Sequence, residues 1–211
     1  MTPWSEAGFQ LFGQHVLFTD LVGNVFALAT VWLAKRRTIW AWPVQLAGSV
    51  LLFAASMTAG LGGNAMKQVL FAVLATYGWW RWARGMRGGT ELQVRPATPR
   101  ERTVLIGVLV VGTVLVAWAF DHFDASWAPL PDAYIFVGSA VATFGQSRAL
   151  VDFWLVWVAV DLVGVPLAIQ GGLWVTAAVY GVFFVMVIAG FRDWLARYRQ
   201  RSLTQEEAVS P

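Results

Sequence analysis

The sequence predicts an all-α integral membrane protein of seven transmembrane helices, built as two parallel three-helix repeats joined by a linker helix. Three observations predict it. Hydrophobic residues make up 58% of the 211 and charged residues only 13%, about half the roughly 25% charge of a soluble domain. The charges are confined to short stretches between apolar runs such as 104–120 and 155–169, which approach the roughly 20 residues a helix needs to cross a bilayer. Finally, uncommon residues recur at a fixed offset along the chain. Mean hydropathy is +0.60, and length alone predicts a single membrane domain over 1–211.

With no water at bilayer depth, main-chain polar groups bond within their own segment, so each apolar run is expected to be a helix. The first, 16–34, stops at Lys35-Arg36-Arg37, and the second, 40–59, stops at a glycine turn over 60–63. The third covers 64–82. The polar stretch 85–102, Pro/Arg-rich at its end, reads as a linker into the fourth helix, 103–120. An acidic, aromatic loop over 120–131 precedes the fifth, 132–147, and Arg148 precedes the sixth, 150–169. A second glycine turn, 170–172, leads into the seventh, 173–194, and the polar segment 199–211 reads as a disordered cytoplasmic tail.

Numbering the loops alternately places 14 of the 15 basic residues on one side, with only Lys67 on the other. Asp121, Asp124 and Asp132 lie opposite. The positive-inside bias then puts the N-terminus outside and the C-terminus in the cytoplasm. An even helix count would scatter the charge. The pI near 9.7 is therefore a sign of topology, not of nucleic acid. Residues 1–34 carry no Lys or Arg, so a cleavable signal peptide is not expected. The inner (plasma) membrane is the expected location.

Shifting the chain by 112 residues superimposes Asp20 on Asp132, Arg36 on Arg148, Trp42 on Trp154, Phe71 on Phe183, Gly78 on Gly190 and Trp82 on Trp194. The repeats would be 16–82 and 132–194, with the helix 103–120 restoring a common orientation. Parallel repeats of this kind are a transporter architecture, with the ligand held near the midplane between them.

The offset also nominates a site. Trp42, Gln45 and Ser49 share one helical face, and their counterparts Trp154, Trp157 and Asp161 share another. Asn64 and Gln68 correspond to Thr176 and Tyr180. Polar side chains at such depth are costly unless they face a partner or an aqueous path. A cage of indole rings with Gln, Asn and Asp suits a flat, aromatic, hydrogen-bonding solute. Trp40, Trp79, Trp80, Trp82 and Trp194, near helix ends, read instead as interfacial belt residues. Gln45 and Gln68 could also simply bridge helices.

Several classes are excluded. The chain has no cysteine, hence no disulfide, thiol nucleophile or cysteine-ligated metal. No lysine in 173–194 could carry a retinal Schiff base. His15 and His122 lie at the outer boundary, no HExxH motif occurs, and no GxxxxGK[ST] loop is present. The expectation is a non-enzymatic carrier without cofactor or metal.

Gln68-Val69, Tyr77-Gly78-Trp79 with Trp82, Pro131-Asp132-Ala133, and the run Arg148, Asp152, Trp154, Trp157, Asp161 together resemble the PnuC-type vitamin transporters over roughly 16–195. The resemblance implies a three-plus-one-plus-three fold similar to the SWEET sugar carriers, usually a homotrimer. It also implies passive uptake of an unphosphorylated vitamin precursor that a cytoplasmic kinase traps. Tyr77 joins the substrate-binding residues on this basis. Ala75 stands where the nicotinamide riboside branch often has asparagine, and Asp161 where that branch often has an amide. Trp42-Pro43-Val44-Gln45, 131–138 and 160–167 look more like the actinobacterial riboflavin-uptake branch (RibM or PnuX). Riboflavin is the expected substrate, with nicotinamide riboside or thiamine as alternatives. Proton-coupled uptake through Asp161 is the rival to passive transport.

Overall fold

A computed structural model describes residues 8–11, 14–58, 62–86, 92–172 and 174–209. Seven helices dominate it: α1 (Phe18–Lys35), α2 (Ala41–Thr58), α3 (Gly62–Gly85), α4 (Pro99–His122), α5 (Pro129–Ser147), α6 (Phe153–Gln170) and α7 (Trp174–Val209). A short antiparallel pair that the sequence reading did not foresee, β1 (Gly8–Leu11) and β2 (Gln14–Leu17), precedes them. The helical reading of the seven apolar runs matches this order. The seventh helix differs, continuing to Val209 where a tail was expected to begin at 199. Residues 196–207 supply Ala, Arg, Gln, Leu and Glu, which are strong helix formers.

Six helices close a ring. Neighbours pack in the order α1, α2, α3, α5, α6, α7, and α7 returns to α1, while α4 packs chiefly on the outside of α5. Gly112 makes that last contact close, since a Cβ there would lie 3.0 Å from Val137. The rest of α4 is bare: Val104, Ile106, Val108, Val111, Val114, Leu115 and Trp118 are all more than half exposed. An apolar surface of that extent is stable only in contact with lipid or another protein. Among the described residues, the helical stretches Pro99–His122, Phe153–Gln170 and Ala177–Thr204 are long and apolar enough to span a membrane, and Leu21–Lys35 and Ala41–Ala54 are shorter apolar helices.

The core lies at the end of the ring that carries the arginines. Trp42, Trp82, Trp154 and Trp194 are at most 1% exposed. Trp42 meets Trp82 edge-on with centroids 5.2 Å apart, and Trp154 meets Trp194 at 5.7 Å and 84°, geometries favoured by the ring quadrupole. Glycine makes room for two of these rings. A Cβ at Gly78 would lie 2.3 Å from the Trp42 ring, and one at Gly190 2.5 Å from the Trp154 ring. The other two indoles bond across the ring: Trp82 Nε1 donates to the Gln146 carbonyl at 3.1 Å, and Trp194 Nε1 to the Lys35 carbonyl at 3.2 Å. The assignment of Trp82 and Trp194 to an interfacial belt is thereby corrected. Trp82 is near the end of α3 and Trp194 lies well inside the long α7, and both are packed against other helices. Trp40 and Trp80 are exposed.

The stretch before α4 is docked, not a free linker. Leu92, Val94 and Ala97 are buried, and Arg95 forms an isolated parallel bridge with Leu150. The Asp152 carboxylate accepts from the Ala97 amide at 2.6 Å and from Arg102 Nε at 2.7 Å. Glu101 holds Arg95 through two 2.7 Å bonds and Arg148 through one of 3.2 Å. The bond to Glu101 raises the Arg95 pKa further above its ordinary value. Thr98 and Glu101 close a capping box at the start of α4, satisfying amides that the first helical turn leaves without partners.

Candidate functional site

The ring encloses a cavity of about 320 Å³ that rests on the aromatic core, within the roughly 300–1,000 Å³ typical of ligand sites. Phe153, Trp154, Ala34 and Val187 belong to both the core and the cavity wall. From that floor the wall rises through Trp157 and Asp161 on α6, Tyr180 and Phe183 on α7, Gln45 and Ser49 on α2, Lys67 and Gln68 on α3, and Thr143 and Gln146 on α5.

Helical spacing explains which residues arrive there. Trp154, Trp157 and Asp161 fall on one face of α6, and Ser139, Thr143 and Gln146 on one face of α5, each at three- or four-residue steps. Gly164 admits the Tyr180 ring between α6 and α7, since a Cβ at Gly164 would come within 2.9 Å of it.

Much of the wall's hydroxyl chemistry is already used within helices. Thr30, Ser139 and Thr143 donate to main-chain carbonyls four residues back, at 2.8, 2.6 and 2.8 Å. Such back-bonding leaves the hydroxyl without a free proton for a ligand. Three buried wall atoms differ. Gln146 Nε2, Trp154 Nε1 and Asp161 Oδ2 have no hydrogen-bond partner among the described residues, and their residues are 5%, 1% and 2% exposed. Buried polar atoms are nearly always paired. Two donors and an acceptor, unpaired around one cavity, are what a bound solute or ordered water would satisfy.

Six of the residues expected in the site, Gln45, Gln68, Trp154, Trp157, Asp161 and Tyr180, lie in this wall. Trp42 does not, and its placement is a correction. It is wholly buried between Gly78 and Trp82, one layer behind the cavity. Tyr77 is also corrected. It lines a neighbouring groove with Phe53, Val73 and Trp80 that shares Ser49 and Gln68 with the cavity wall, and it stacks on Phe144 at 6.0 Å. Asn64 and Thr176 lie on α3 and α7, but their side chains fall outside the described residues. Sequence reasoning missed Gln146, Phe153 and Lys67. Arg148 and Asp152, part of the motif run, bind Glu101 and Arg102 in the first turn of α4, Asp152 also the Ala97 amide before it, and neither is in the cavity wall.

A sequence profile described as nicotinamide mononucleotide transporter matches residues 17–196. The chain belongs to that family. Among its relatives, a riboflavin/roseoflavin transporter, RibM of Streptomyces davaonensis, is 44% identical over 201 residues, 94% of this chain and 93% of that protein. The nicotinamide riboside transporter PnuC of Escherichia coli is 22% identical over 90% of both chains. The fold is also similar to that in a crystal structure of the vitamin B3 transporter PnuC. The TM-score is 0.68 at 20% identity, over 87% of this chain and 83% of that one.

Proposed function

We propose that this family member is a plasma-membrane carrier that takes up riboflavin by facilitated diffusion, a cytoplasmic kinase trapping the vitamin by phosphorylation. The observation that carries the reading is the 44% identity to the riboflavin/roseoflavin transporter over nearly the full length of both chains. Nicotinamide riboside enters as the alternative through relatives at half that identity. The cavity supports a flat ligand, since Phe153, Trp154 and Trp157 offer aromatic faces beside Gln45, Gln68, Asp161 and Tyr180. The ring of a flavin would stack on the indoles, and its carbonyl and imide edge would take the amides.

The three-plus-one-plus-three repeat (16–82, 103–120, 132–194) is part of the proposal. It is supported by devices that recur 112 residues apart: left-handed Arg37 and Ala149, at φ 56° and 54°; tryptophans seated on Gly78 and Gly190; and indole-to-carbonyl bonds from Trp82 and Trp194. All seven helices then cross the bilayer, with the arginine-rich end in the cytoplasm and the N-terminus outside. The resemblance to PnuC-type carriers supports a homotrimer.

One observation favours a second coupling mode. Asp161 Oδ2 is buried in the wall without a partner, which is where a proton-carrying carboxylate would stand. Uptake of radiolabelled riboflavin into proteoliposomes separates the two. Facilitated diffusion predicts equilibration without accumulation and an initial rate unchanged by a protonophore. Accumulation driven by a pH gradient would replace it with proton coupling, and no uptake at all would refute the riboflavin reading.

A further inference from the structure

We propose that the Gln146 side chain reads an acceptor on the ligand's ring, orienting the ring toward the aromatic floor and the hydroxylated chain toward Asp161. The inference rests on the riboflavin reading and assigns it an orientation. Gln146 ends the cavity face of α5 and lines the same cavity as Phe153, Trp154 and Trp157. Its main chain is fully employed: the carbonyl accepts from the Ala149 amide at 2.9 Å and from Trp82 Nε1 at 3.1 Å. Its side chain is not. Nε2 is buried in the cavity wall and donates to no described residue, and neither does Trp154 Nε1 of the same wall.

Two unpaired N–H donors at the floor call for acceptors on whatever lies against those rings. The Thr143 and Ser147 hydroxyls on the same helix donate to main-chain carbonyls at 2.8 and 2.6 Å, and neither accepts from these N–H groups. A ring carbonyl or imine nitrogen supplies the acceptor and leaves the aromatic faces free to stack. Asp161 is seven residues beyond Trp154 on α6, about 10 Å along the axis at 1.5 Å per residue. There the unpaired group is an acceptor, Oδ2. Donors are thus unpaired at one end of the wall and an acceptor at the other, which suits a ring edge rich in acceptors followed by a chain of hydroxyls.

The test exploits the division of labour within Gln146. Any substitution keeps the main-chain carbonyl that anchors Trp82, so side-chain loss can be read separately from folding. Binding of riboflavin and of lumiflavin, which keeps the isoalloxazine ring edge and carries a methyl group in place of the ribityl chain, is titrated on purified full-length protein. Melting is followed for each variant without ligand. Gln146→Met, similar in volume but without a donor, should melt as the parent and bind both ligands several-fold to tenfold more weakly. Gln146→Glu, which turns the donor into an acceptor, should lose at least as much. Unchanged affinity in both variants overturns the assignment. A loss for riboflavin alone places Gln146 against the chain and overturns the orientation. Failure of the parent protein to bind riboflavin overturns this inference together with the reading beneath it.

Discussion

Helices α2 and α6 present the same pattern, Trp42, Gln45, Ser49 against Trp154, Trp157, Asp161, yet only one of the two leading tryptophans reaches the cavity. Both rings are wholly buried and both sit on a glycine of the following helix. Trp154 lies between that glycine and the cavity, with Phe153 beside it at 4.4 Å. Trp42 turns edge-on to Trp82 behind the wall. Helical spacing selects a face, but depth within that face is set by what the neighbouring helix leaves open. The same residue type therefore serves packing in one helix and both packing and the wall in the other.

The largest effect that bears on this comparison comes from the glycines. Gly78→Ala would press a methyl group to 2.3 Å from the Trp42 ring, and Gly190→Ala to 2.5 Å from the Trp154 ring. Overpacking a close-packed core costs about 1–3 kcal/mol. Both variants should lose stability in thermal melts followed by size-exclusion in detergent. Only Gly190→Ala should also weaken riboflavin binding, because only Trp154 is in the wall. Equal loss of affinity in both would mean that the two rings are not divided between core and wall.

A smaller effect is expected from the two indole hydrogen bonds. Trp82→Phe and Trp194→Phe each remove one N–H donor to a main-chain carbonyl, a contribution of about 0.5–1.5 kcal/mol, to which the ring volume lost from these buried sites adds. The two should destabilise by similar amounts in the same melting assay, and together more than either alone. No change in either variant would mean that these bonds do not tie the two sides of the ring.

Hydropathy made the helices legible because a lipid-facing surface has to be apolar all round, and α4 is the plainest case. Position near a helix end did not distinguish belt from core: Trp80 and Trp82 are two residues apart, one exposed and the other buried. The docking of the segment before α4 was illegible because its partner Asp152 lies 55 residues away from Ala97, and no local pattern announces such a contact. Gln146 escaped notice at a predicted helix end beside Arg148. Its signal was a polar residue seven positions after Ser139 on the face that also holds Thr143. Lys67, taken only as a topological exception, lines the cavity as well.

In the proposed function, the cavity above the aromatic floor holds the flavin, with Trp157 touching it and Trp42 behind it. Titration of riboflavin's own fluorescence against purified Trp157→Ala and Trp42→Phe proteins tests this directly when the Kd is compared and not the depth of quenching, since a stacked indole is itself a quencher. Loss of one stacking partner is worth about 0.5–1.5 kcal/mol, which is a few-fold to tenfold in affinity. Trp157→Ala should therefore bind riboflavin more weakly by that factor, while Trp42→Phe keeps the parent Kd even if it melts earlier. Parent-like affinity in Trp157→Ala, with weakened binding in Trp42→Phe, would contradict the account.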